Sequence, residues 1–218
     1  MNKPRSEQDA PQDRHNSGAA VEVPARRPKE IGLRDDELDA ACMVEKDMDE
    51  VEIVDYDPRW PALFDQEARR LRAVLDPRLI VGLEHFGSTS IPGLAAKPII
   101  DILIAVRSLA DAEAAFVAAL ATLDYVYWAD NPKKDRMFFV KGMPPFGSRR
   151  SHHVHVTEQH GEMWQRLAFR DYLRVHPEEA QTYARLKRRL AIEHRTDREA
   201  YTEAKSAYVE TVMRKAIK

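Results

Sequence analysis

The sequence predicts an α/β chain of the α+β type, a mixed β-sheet covered by helices and followed by a C-terminal helical segment. Three observations point to it. The candidate elements run strand, helix, two strands flanking a loop, helix, three strands, three helices. The run Ile99–Val106 is apolar enough to lie centrally in a sheet. From Gly161 onward the apolar spacing changes from the two-residue period of strands to the helical one.

Taken in order, residues 1 to about 28 are rich in Pro, Ser, Asn, Gln and charge, show no apolar period and are expected to be disordered. The first 50 residues hold 13 acidic and 8 basic side chains, so positions 1–48 read as a flexible acidic leader that can dock a protein partner. Residues 49–218 read as one folded domain. It opens on Val51–Val54, a short alternating strand, and Asp57 before Pro58 marks a helix start. Phe64, Ala68, Leu71 and Leu75 then form one helical stripe.

Leu79–Phe86 and Ile99–Val106 are the next two strands. Ser108 followed by Asp111 reads as a capping box for a helix that buries Ala112, Ala115, Phe116, Ala119, Leu120 and Leu123. Tyr125–Trp128, Met137–Lys141 and His152–Thr157 are three further strands, separated by loops at Asp130-Asn131-Pro132 and Pro144–Ser148. In the last segment Trp164, Leu167, Ala168, Tyr172 and Val175 make a stripe, and a new helix starts at His176-Pro177. Tyr183, Leu186 and Leu190 face inward on it. Asp197 caps a last helix buried along Tyr201, Ala204, Tyr208 and Val212.

Composition narrows the function classes. Hydrophobic residues make up 44% and charged ones 32%, which places the chain among globular proteins, and no apolar run reaches the ~20 residues of a membrane span. The N-terminus lacks a secretory signal and a single cysteine, Cys42, excludes an intramolecular disulfide framework, so the cytoplasm is expected. Net charge is −2, and the excess of basic residues after 161 is too small to claim nucleic acid as a partner.

The chemistry concentrates in Glu84–Leu103. A strand ends in the small-residue turn Gly87-Ser88-Thr89-Ser90, and a short connection leads into a strand with one carboxylate, Asp101. Gly87 permits positive φ, and the amides and hydroxyls of Ser88, Thr89 and Ser90 offer a phosphate cradle. Asp101 in an apolar strand requires a metal, a cation or hydrogen bonds. An ion pair with Lys97 or an arginine would meet that need, and a plain β-turn would account for the glycine and hydroxyls. Lys97 is equally a candidate phosphate contact. His153 and His155 alternate on one strand and project to one face. If that strand neighbours Asp101, the three form a cluster, with His85 as a fourth ligand. Structural hydrogen bonds to backbone or to Asp171 are the plainer reading of the two histidines. Arg149, Arg150 and Lys141 add positive charge for an anion. Arg170 with Asp171 reads as a salt bridge, and Lys187-Arg188-Arg189 as a solvated face.

The stretch His85-x-Gly-Ser-Thr-Ser-Ile-Pro-Gly-Leu-x-x-Lys-Pro-Ile-Ile-Asp-Ile resembles the signature of the GrpB family, a branch of the nucleotidyltransferase-like fold. The likeness continues through Tyr56–Trp60, His152–Val156, Phe169–Arg174 and Tyr201–Lys205, and spans about residues 51–212. It implies a nucleotide or another phosphate-bearing small molecule as ligand, transfer of a nucleotidyl group, and a divalent metal. Mg²⁺ or Mn²⁺ is expected, with Zn²⁺ as a further option that imidazole ligands favour. The wider fold follows its Gly-Ser turn with an acidic-x-acidic pair. Here Asp101 is followed by Leu103, so the second acid is absent and two-metal transfer loses a ligand. Three functions therefore stand side by side: a metal-dependent nucleotidyltransferase, a binder that kept the cradle without catalysis, and an accessory domain acting on a partner, as the family's fusions to dephospho-CoA kinase imply.

Overall fold

Glu50–Asp130 and Asp135–Lys218 are described in a computed structural model of the protein. The acidic leader expected at 1–48 and the turn residues Asn131 and Pro132 lie outside the described residues.

Helix α1 (Trp60–Val74) is followed by β1 (Ile80–Phe86), a single 3₁₀ turn (Ser88–Ser90) and β2 (Ile100–Val106). Helix α2 (Leu109–Ala121) leads to β3 (Tyr125–Tyr127), β4 (Arg136–Lys141) and β5 (His152–Glu158). The C-terminal segment holds α3 (Glu162–Gln165), α4 (Leu167–Val175), α5 (Pro177–Glu193), α6 (Arg198–Glu203) and α7 (Ser206–Ala216). The strands form one mixed sheet in the order β1-β2-β5-β4-β3, in which only β2 and β5 run parallel.

Strand β2 is buried on both faces, with Ile102 to Val106 fully inaccessible. That is why it reads as an unbroken apolar run. On one face Ile100, Ile102, Ile104, Val154 and Val156 pack against Leu71 of α1 and Ala112, Phe116 and Leu120 of α2. Each such fully buried Leu, Ile or Phe contributes about 2 kcal/mol. Ala115, expected in that stripe, is exposed. The Ser108 hydroxyl caps α2 by accepting from Asp111 N at 3.2 Å, and Asp197 caps α6 by accepting from Ala200 N at 2.9 Å.

A second apolar cluster joins Ile91, Leu94 and Ala95 of the β1–β2 connection to Leu173, Tyr183 and Val212 of α4, α5 and α7. Asp101, His153 and His155 project from the face opposite to Ile100, Ile102 and Val154.

The fold departs from expectation in four places. Val51–Val54 is not a sheet strand: Val54 makes an isolated bridge to Ala96, while Val51 N donates to Arg195 O at 2.7 Å. The stripe at Trp164–Val175 is divided at Arg166 between α3 and α4, and its buried positions are Met163, Arg170 and Leu173, leaving Val175 exposed. The last helix likewise divides, at Ala204 and Lys205, and Ala204 is exposed. Lys187 belongs to the core, its ammonium donating to the Ala95 carbonyl and lying 4.7 Å from the Tyr183 ring centre. A four-carbon stem can cross an apolar layer to reach a carbonyl, which a charge run in a sequence does not reveal.

Candidate functional site

Parallel pairing of β2 with β5 sets Asp101 beside His153 and Leu103 beside His155, so all four project from one face. His153 Nδ1 lies 3.0 Å from Asp101 Oδ1, and His155 Nε2 lies 3.8 Å from the same oxygen. Burial alone would raise the Asp101 carboxyl, but hydrogen bonding and attraction from the two histidines outweigh it and hold it far below the usual carboxylate range. Burial pushes His153 down to about 4 against the pull of Asp101. His153 is therefore neutral near pH 7. Because a carboxylate only accepts, its Nδ1 carries the proton and its Nε2 is a bare acceptor.

Two ring nitrogens, His153 Nε2 and His155 Nδ1, are buried without a hydrogen-bond partner among the described residues. Phe138 walls the pair, its ring centre 5.1 Å from that of His153 and 4.8 Å from that of His155. A buried ring nitrogen without a partner is costly. The donor set suits a cation. Asp101, His153 and His155 each offer one ligand atom, all within 4.8 Å of one another. Ligands about 2.1 Å from a shared ion stand about 3–3.5 Å apart. The separations of His153 Nδ1 and His155 Nε2 from Asp101 Oδ1, 3.0 and 3.8 Å, bracket that range, so these nitrogens would ligate once His153 Nδ1 gives up its proton. Two imidazoles with one carboxylate match Mn²⁺, Zn²⁺ or Fe²⁺ better than Mg²⁺.

His85, expected as a fourth ligand, is not part of this cluster. It pairs in register with Ile102 and so faces the opposite side of the sheet, stacked on Phe64 with ring centres 4.6 Å apart. Its Nε2 meets Thr89 Oγ1 at 3.1 Å, and burial pushes it down to about 4.

The turn is held against the carboxylate. Gly87 has φ 68°, and a Cβ built there would lie 2.3 Å from Asp101 Oδ2. Ser88 is half-buried and acts on the Tyr183 phenol. Thr89 and Ser90 are buried, and their hydroxyls donate inward, Thr89 Oγ1 to Ile99 O at 3.3 Å and Ser90 Oγ to Gly87 O at 2.6 Å. The expected cradle of three hydroxyls is thereby corrected: two of them brace the turn from within.

Positive charge surrounds the cluster. The ammonium groups of Lys97 and Lys205 lie 4.9 Å and 4.0 Å from the Tyr201 ring centre, and Asp101 attracts both. Lys97 also lines a cleft of about 620 Å³ with Arg149, Arg150, Arg195 and Arg198. Two carboxylates share that wall, Glu52 paired with Arg149 and Glu50 with Arg195.

Three other charged side chains lie outside the site. Lys141 is tied to Glu67 at 2.7 Å on the opposite face. Glu158 accepts from Leu109 N at the far end of β5. Arg170 pairs with Asp171 as anticipated and also bridges helix to sheet through Glu84.

The family model described as GrpB protein matches residues 50–215. The chain belongs to the GrpB family. The UPF0157 protein PA4798 of Pseudomonas aeruginosa is 48% identical over 172 residues, covering 78% of this chain and 69% of that one. The UPF0157 protein YqkA of Bacillus subtilis is 43% identical over 74% of this chain, and the match spans 46% of that longer relative. The crystal structure of conserved protein GrpB from Enterococcus faecalis aligns with TM-score 0.68 at 34% identity, over 76% of this chain and 97% of that one.

Lys205, Tyr201, Arg195 and Arg198 are the site-lining residues of this GrpB chain that sequence reasoning missed. The sequence places Tyr201 on the buried edge of the last helix and gives no role to Arg195, Arg198 or Lys205. The four-residue spacing of Tyr201 and Lys205, which brings a cation over a ring, was the available signal. No helix among the described residues is long and apolar enough to cross a membrane.

Proposed function

We propose that the protein binds a nucleotide or another phosphate-bearing ligand beside a single divalent cation held by Asp101, His153 and His155. The observation that carries this is the convergence of one carboxylate and two imidazoles, with His153 Nδ1 at 3.0 Å and His155 Nε2 at 3.8 Å from Asp101 Oδ1, next to the ammonium of Lys97. The cation would supply positive charge against the phosphates of the ligand. Asp101 and the two histidines hold it, Gly87 lets the turn approach the carboxylate, and Lys97 and Arg150 offer charge to the ligand's far side.

Transfer of a nucleotidyl group is the fuller form of this reading. Leu103 favours the simpler form, binding without transfer. It occupies the face of Asp101, is fully buried, and leaves one carboxylate where a two-metal arrangement needs more.

Thermal denaturation tests the proposal. Mn²⁺ or Zn²⁺ with a nucleoside triphosphate at about 100 times Kd should stabilise the chain by about 2.7 kcal/mol and raise Tm by about 5–10 °C. Asp101→Asn should abolish the cation-dependent part. An unchanged cation response in Asp101→Asn and His153→Asn would overturn it.

A further inference from the structure

The Tyr201 ring carries two ammonium groups from segments distant in sequence. Lys205 Nζ, from the junction of α6 and α7, lies 4.0 Å from the ring centre, and Lys97 Nζ, from the loop before β2, lies 4.9 Å from it. Asp101 attracts each of them, yet among the described residues neither forms a salt bridge with a carboxylate. Tyr201 is itself buried and anchored against Val51, Leu190 and Ala191, so the ring that both cations lie against is fixed. Two like charges on one rigid ring, partly withdrawn from water, are unfavourable until an anion joins them. Their titration agrees: burial, then Lys205 and Arg198, push Lys97 down to about 7, and burial pushes Lys205 down to about 8.

The surroundings say what kind of anion. Lys97 belongs both to this pair and to the wall of the 620 Å³ cleft, in which Arg149, Arg150, Arg195 and Arg198 outnumber two glutamates. Positive charge is therefore continuous from Tyr201 into a space of the size that holds a nucleotide-sized ligand. Ammonium groups act as point charges and suit a terminal phosphoryl group, whereas guanidinium forks suit the oxygens along a phosphate chain.

We propose that Lys97 and Lys205, both held against the Tyr201 ring, form the seat for the dianionic terminal phosphate of a polyphosphate-bearing ligand, whose inner phosphates run along the arginine wall of the cleft. This rests on the phosphate-binding half of the function proposed above and is independent of the cation. Lys205 is the residue it adds.

Calorimetry on the full chain at pH 7 with EDTA present tests it, using inorganic triphosphate, adenosine triphosphate and a cyclic nucleotide that lacks a terminal dianion. The first two should bind, and the cyclic nucleotide at least ten-fold more weakly. Lys97→Met and Lys205→Met keep the side-chain stem and remove the charge, and each should weaken triphosphate at least ten-fold. Lys205→Gln serves as a second variant if the methionine form does not fold. Asp101→Asn should act in the opposite direction without metal, tightening binding several-fold, because it removes the negative charge facing the seat. Inorganic triphosphate binding as tightly as the nucleotide assigns recognition to the phosphate chain alone, and tighter nucleotide binding adds a base contact in the cleft; both support the seat.

Lysine variants that bind triphosphate within two-fold of wild type, or a cyclic nucleotide that binds as well, would overturn the seat. If those variants are neutral while Asp101→Asn loses a Mn²⁺-dependent gain, the seat falls and the cation reading stands. Weakened lysine variants with no response to Mn²⁺ give the reverse. Wild type that binds neither triphosphate, with EDTA or with Mn²⁺, overturns both.

Discussion

Gly87 and Asp101 stand so close that a Cβ on residue 87 would come within 2.3 Å of Asp101 Oδ2. Gly87 also has φ 68° with ψ −170°, a region essentially closed to residues with a side chain. Gly87→Ala is therefore expected to cost about 1–3 kcal/mol and to displace the carboxylate from His153. Urea denaturation and titration of the His153 ring by NMR check the two effects separately. A variant as stable as wild type, with the His153 signal unmoved, would contradict the close approach.

Arg170 makes three bonds with one planar group: Nη1 donates to Glu84 Oε2 and to His85 O, both at 2.8 Å, and Nε donates to Asp171 Oδ1 at 2.7 Å. A lysine has the charge but lacks the fork. Arg170→Lys is expected to lose about 1–2 kcal/mol, since the buried His85 carbonyl is left short of its donor. The urea midpoint should fall with the slope unchanged, and equal midpoints would show that the charge alone matters.

His85 supplies a pH dependence with a definite sign. Burial lowers it from 6.5 to about 4, so the unfolded chain takes up a proton in that interval while the folded chain does not. Its contribution is complete above pH 6.5 and is lost as the pH falls toward 4, by up to about 3 kcal/mol. His85→Gln keeps a polar group for Thr89 and removes the titration. The stability difference between wild type and variant should shrink or reverse from pH 7 to pH 4, and a constant difference would refute this assignment.

The strands of the sheet were legible because burial dictates their composition. Strand β2 is apolar throughout since both its faces are covered, and Asp101 stands out for the same reason. The two histidines could be paired with each other by alternation alone. Their closure on Asp101 depended on β2 lying next to β5, which no local pattern encodes. His85 was misassigned because a residue at a strand end gives no sign of its face until the register with Ile102 is known. The breaks at Arg166 and at Ala204 went unseen because neither carries Gly or Pro. Those same breaks leave Lys205 at a helix junction, where it turns to Tyr201.

Asp101 and His153 are 52 positions apart and meet only across the parallel β2–β5 pair. A chain that has closed the antiparallel β1–β2 pair owns the carboxylate but neither imidazole, and closing a long crossover comes at an entropic cost that such a partial structure has not yet met. The meeting of Asp101 with His153 is thus a marker of completed sheet assembly. Anything bound there stabilises the finished fold and not the states that precede it, so it should slow unfolding while leaving the refolding rate where it was.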